Sequence, residues 1–180
     1  MTGQIMDYAR GNVAELGAVV DTLDEQVLQN LVSAIIAARK VYFSGVGRSG
    51  LAARAVAMRL MHIGIQAYAV GEIATPGIEA GDLFVAVSAT GRGTLLQQAR
   101  VADRAGAGVA TITAKPDGEL QELAGVVVVL PVRSQVPTQQ HAGSLFEQSA
   151  LVVGDAVCRA VQQRLGVPES ELDRRHANLS

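Results

Sequence analysis

A single cysteine, no tryptophan and an aromatic content of 3% set early limits on what this 180-residue chain can be. Cys158 alone can form neither a disulfide nor a thiolate metal cluster within one chain. Its setting, "GDAVCRAV", reads as that of a small apolar helix residue. Few rings are available to stack on bases, and 15 Lys and Arg against 17 Asp and Glu, a net charge of -2, supply no basic face for a phosphate backbone. Nucleic acid is therefore not an expected partner. No apolar run approaches the ~20 residues that a bilayer span needs. The opening "MTGQIMDYARGN" also lacks the basic-then-apolar pattern of a secretory signal, so a cytoplasmic protein without a membrane segment is expected.

What the chain does have is apolar content, at 49% hydrophobic residues. A domain of this length buries roughly 70% of its unfolded surface. Helical patterns over residues 4 to 20 and 24 to 38 come first. After them, short apolar runs alternate with helical ones: strands are expected at 41 to 44, 66 to 70, 83 to 88, 108 to 113 and 125 to 131, and helices at 49 to 62, 93 to 105, 118 to 124 and 144 to 165. Strands apolar on both faces belong to a covered parallel sheet. The expected fold is one three-layer αβα domain of class α/β over residues 1 to 180, with a five-stranded parallel sheet in flavodoxin-like order. N-terminal helices occupy 1 to 38, the core 39 to 166, and a polar tail 167 to 180. Gly166 followed by Pro168 marks the end of the long helix.

Two segments echo each other: "FSGVGRSGLAARAV" and "AVSATGRGTLLQQA" each run strand, Gly-Arg loop, helix. For a strand order of 2-1-3-4-5, ligands bind beyond the carboxyl ends of the first and third strands, which carry these two loops. Gly45-x-Gly47-x-x-Gly50 is the outline of a dinucleotide turn, and Glu72 even supplies the acidic residue such sites place on a ribose. The second loop points elsewhere. Ser88, Thr90 and Thr94, with Gly91 and Gly93 between them, offer hydroxyls and backbone N–H groups at a helix start, which suit a terminal phosphate. The first loop adds Gly47, Arg48 and Ser49. A phosphorylated small molecule is the expected ligand, and Gly47, Arg48, Ser49, Ser88, Thr90, Gly91, Gly93 and Thr94 are its expected contacts.

The stretches "GVGRSG", "VGEIATPGIEAGDLFVAVSATG", "HAGSLFEQSALV" and "RRHANLS", which together span nearly the whole chain, resemble the 6-phospho-3-hexuloisomerase family of sugar isomerase (SIS) domain proteins. That resemblance implies interconversion of D-arabino-3-hexulose 6-phosphate and fructose 6-phosphate, the step after formaldehyde is fixed onto ribulose 5-phosphate. It implies a homotetramer and no cofactor or metal. The chain departs from the family in its second loop, where Ser88-Ala89-Thr90-Gly91-Arg92-Gly93 replaces a run similar to Ser-Gly-Ser-Gly-Glu-Thr. Two other readings share the same phosphate cradle. One is an aldose-ketose isomerase of the arabinose 5-phosphate type, and the other is a non-catalytic sugar-phosphate sensor. The sensor would need an output segment, and no DNA-binding helix-turn-helix is legible.

Moving a ketone from C3 to C2 requires a base for the C2 proton, an enediol, and proton return at C3, with no net redox change. Glu147, in "GSLFEQ" at the start of the long helix, is the candidate carboxylate. Ser144 with Glu147 three residues on also spells a capping box, an alternative reading. Of the three histidines, His62 reads as a helix-end residue and His141 as a loop residue that either lines the pocket or faces solvent. His176 lies in a tail that would ordinarily fray. The resemblance gives His176 a catalytic part, with the tail reaching a neighbouring subunit's pocket.

Overall fold

The computed structural model describes residues 3–179. The elements run, in chain order, α1 (Gln4–Val20), α2 (Glu25–Ala37), β1 (Val41–Gly45), α3 (Arg48–Ile63), β2 (Ala67–Ala69), β3 (Leu83–Val87), α4 (Thr94–Arg104), β4 (Gly108–Thr113), α5 (Glu119–Leu123), β5 (Val126–Val129), α6 (Ser144–Leu165) and α7 (Glu169–Arg174). All strand pairs are parallel and the sheet order is β2-β1-β3-β4-β5, as expected from the alternation of apolar runs.

The period of two along each strand sorts side chains into two cores. Val41 and Phe43 of β1, with Leu83, Val85 and Val87 of β3, face the larger core beneath α1, α2, α3 and α6. Tyr42, Phe84 and Ala86 face a smaller one beneath α4 and α5. Cys158 belongs to the larger core at 1% exposure, and burial there pushes its thiol up to about 12. Among the described residues no helix is long and apolar enough to cross a membrane.

The glycines of the first loop serve close packing. A Cβ on Gly50 would come within 2.5 Å of the Gly45 carbonyl oxygen, and one on Gly45 within 2.8 Å of the Gly50 nitrogen. Strand β1 and helix α3 therefore meet backbone to backbone. Between them Gly47, at φ 60°, makes the left-handed turn that lets α3 start at Arg48.

The chain end departs from expectation. Residues 167 to 180, read as a polar tail, instead contain α7, whose Leu172 is 5% exposed and joins the larger core. Just beyond it, the Arg175 guanidinium donates to the carbonyls of His62 (3.0 Å) and Ile63 (3.1 Å). Those are two of the carbonyls a helix end leaves unpaired, and a cation is favoured there. One apolar anchor and one arginine thus dock the end of the chain onto its own α3. Strand β5 is also shorter than the run 125 to 131: after Leu130, whose N–H still donates to the Thr113 carbonyl, the chain turns off the sheet and Val132 N–H donates back to the Leu130 carbonyl at 2.7 Å.

Candidate active site

Helices α3 and α6 pack against each other, and their first turns meet. Gly143 precedes α6 without any side-chain cap, so the capping-box alternative is not realised. The Glu147 carboxylate turns sideways and accepts a hydrogen bond from Nε of Arg48, the first residue of α3. The pair is asymmetric: the Glu147 side chain is 10% exposed, that of Arg48 66%. A carboxylate is thereby held inside, with a guanidinium resting over it from the solvent side. Arg48, Leu51, Glu147 and Gln148 line a cavity of about 230 Å³. The Gln148 amide oxygen, buried and without a partner, is an acceptor beside it that the motif reading passed over.

The segment feeding α6 is fixed by residues the sequence reading also missed. Glu15, on α1, accepts from Thr138 Oγ1 (2.7 Å), Gln139 N (2.9 Å) and Gln140 Nε2 (2.9 Å). Burial opposes its charged form, but those three hydrogen bonds prevail and hold its carboxyl below the usual range. Arg133, at φ 67°, donates to the carbonyls of Gln140 and Ala142. Both contacts are long-range in sequence or carried by a backbone turn, so no short pattern announces them. His141 is exposed in this segment.

The two expected phosphate loops leave neighbouring strand ends, since Gly45 of β1 is in register with Val87 of β3. Ser49 lies in the first turn of α3 and is partly buried. Ser88 is buried, and its hydroxyl oxygen accepts from the Gly91 N–H at 3.0 Å. Its own O–H remains available to a ligand oxygen. Gly91 and Gly93, at φ 66° and 67°, shape the loop, and Gly93 precedes α4. Thr90 and Gly91 face a cavity of about 480 Å³ shared with Arg92, Lys115 and Asp117. Thr94 faces a third, largely apolar cavity of about 270 Å³ beside Tyr42 and Phe84. Glu72, the residue a dinucleotide reading would put on a ribose, is instead ion-paired with Arg54 at 3.2 Å.

Glu147 and His176 lie at opposite ends of α3. The Arg48–Glu147 pair is at its first residue, whereas the His176 ring stacks on His62 in the last turn, with centroids 4.1 Å apart and planes at 27°. Fourteen residues of helix at 1.5 Å each put roughly 21 Å between those two points. His62 is 2% exposed and its Nδ1 has no partner. Burial first, then His176 and Arg59, depresses its pKa below the ordinary imidazole value, so the ring stays neutral.

The model of the SIS domain family matches residues 34–153. The 3-hexulose-6-phosphate isomerase of Mycobacterium gastri is 39% identical to this chain over 97% of it and 89% of the relative. The one from Bacillus subtilis is 32% identical over 96% and 97%. A crystal structure from Methanococcus jannaschii, for which a 3-hexulose-6-phosphate isomerase function was inferred, superposes with a TM-score of 0.83 at 34% identity, covering 98% and 99% of the two chains. The chain belongs to the SIS domain family and, within it, to the 3-hexulose-6-phosphate isomerases.

Proposed function

We propose that this protein interconverts D-arabino-3-hexulose 6-phosphate and fructose 6-phosphate through an enediol, the isomerisation that follows formaldehyde fixation in the ribulose monophosphate pathway. The observation that carries the reading is the Glu147 carboxylate, held nearly buried at the meeting of two helix starts, in a chain whose relatives over most of its length include isomerases of this name. The anchor is the phosphate. The hydroxyls of Ser49, Ser88 and Thr90, with loop N–H groups at the starts of α3 and α4, take its oxygens. Arg48, already exposed, turns from Glu147 to the phosphate and uncovers the base.

Glu147 then removes the C2 proton. The electrons of that C–H bond form the C2–C3 double bond, and the C3 carbonyl oxygen gains a proton, giving the enediol. Return of the proton from Glu147 to C3, with loss of the proton on the C2 oxygen, leaves the carbonyl at C2. Two hydrogens change places and no electrons leave the substrate, so a carboxylate and a histidine suffice for the proton traffic.

His176 serves the two oxygens, and the partner subunit brings it. Within one chain it is stacked against the far end of α3, out of reach of Glu147. The outer face of α3 supports a pairing of subunits, with Leu51, Met58 and Met61 exposed at 65%, 51% and 40%. Two copies packing this face antiparallel about a two-fold axis lay the last turn of one α3 over the first turn of the other. That sets His176 of the partner subunit beside Glu147. A homotetramer built from two such pairs accounts for the assembly.

The test supplies 3-hexulose 6-phosphate to the purified protein without added cofactor and follows fructose 6-phosphate, with arabinose 5-phosphate offered in parallel. Formation of fructose 6-phosphate alone is the expected result. Turnover of arabinose 5-phosphate instead, or binding of either sugar without turnover, overturns the reading.

A further inference from the structure

Histidine is a poor filler for a core position. A buried imidazole whose Nδ1 finds no hydrogen bond forfeits the solvation it had in water, and a leucine would occupy the place without that loss. His62 nevertheless sits 2% exposed in the last turn of α3, with Nδ1 unpartnered. The His176 ring is stacked on it, with centroids 4.1 Å apart.

That neighbour is fixed from three directions. Arg175, next to it in the chain, is bonded to the backbone carbonyls of His62 and Ile63. The His176 N–H donates to the Asp173 carbonyl at 3.1 Å, continuing the turn of α7. The stack on His62 then fixes the side chain itself, with one ring face covered and the remainder exposed. Without a flat partner beneath it, an imidazole four residues past Leu172, the last core residue, would rotate about both of its side-chain torsions.

We propose that His62 is the positioning residue for His176: its buried ring is the platform that holds the His176 imidazole in one orientation for presentation to the neighbouring subunit's site. The proposal rests on the reading that His176 acts there. Depression of the His62 pKa, by burial and by the adjacent His176 and Arg59, agrees with a ring held in its uncharged form. The platform role therefore needs the plane of the ring and not its nitrogens.

Three variants of the full-length oligomer test this: H62L, H62F and H176A, with the double variant H62L/H176A. Assays run well below each variant's unfolding temperature, and subunit assembly is checked for each. His62→Leu is expected to lower kcat by about 10- to 100-fold with little change in KM, the scale of effect that follows from misplacing a reacting group. His62→Phe, which restores a flat ring, should recover most of that loss. On the His176→Ala background, His62→Leu should cost nothing further, because the group it positions is already gone. An unchanged kcat in His62→Leu, failure of the phenyl ring to recover it, or an additive loss in the double variant each overturns the platform. Full turnover in His176→Ala would instead sink the underlying reading, and that result is separate from the other three.

Discussion

In the proposed mechanism Glu147 carries the chemistry because of where one turn of backbone puts it. Its side chain is 10% exposed and paired with Arg48, which in the proposed mechanism releases it when a phosphate draws the guanidinium away. Replacing Glu147 with Gln keeps the shape and removes the basicity. Turnover should fall by about 10²- to 10⁴-fold, the usual worth of a general base, while the fold persists. Steady-state kinetics beside a thermal melt measures both, and near-normal turnover would reject the assignment. His62 makes a second prediction at this scale. Its folded-state pKa lies below the value of about 6.5 that it has when unfolded. The unfolded chain therefore binds the extra proton first, so stability is complete above about pH 6.5 and declines as pH falls below it. His176, Arg59 and the nearby Arg175 guanidinium are the charges around that ring, and none relieves the penalty. Denaturant midpoints across this window should fall less steeply in His62→Phe than in the unaltered protein, and equal slopes would count against the buried neutral ring.

Helices α3 and α6 are the elements that make the site, and both depend on small residues for their placement. Gly50 lets α3 lie against β1, and a methyl group there meets a backbone carbonyl that cannot move aside. Gly50→Ala should cost about 1 to 3 kcal/mol of stability, as overpacking does. It should also displace Arg48, so activity falls even where the protein remains folded; retention of both stability and kcat would contradict the close-packing role. Much of this was legible beforehand. The alternation of apolar runs, the sheet order and the bounds of α1 and α6 follow from periodicity and stop signals, and the glycine spacing pointed to the strand-to-helix turn. Other features lie beyond such patterns. Glu15 reaches the segment ahead of α6 from more than 120 residues away in sequence, and Arg133 works through a left-handed turn that no glycine marks. The helix α7 escaped because a single buried leucine and a single arginine anchor it, too few residues to show a period. His62 was legible as a helix-end residue, but its burial and its stacking partner depend on how the chain end folds back.

At the scale of the whole molecule, one chain in the proposed mechanism holds two halves of a site at the two ends of one helix. The candidate base stands at the start of α3 and the histidine at its end, with Leu51, Met58 and Met61, and the charged Arg54 among them, exposed between. The proposed two-fold pairing would join unlike ends and build two identical sites at once. The most direct measurement of this account mixes two inactive variants, Glu147→Gln and His176→Ala, under conditions in which subunits exchange. Random re-pairing makes half the pairs mixed, and in each mixed pair one of the two sites unites an intact Glu147 with an intact His176. Activity should therefore return to roughly a quarter of the unaltered level. No recovery, once mass spectrometry has verified exchange, would contradict a site shared between subunits.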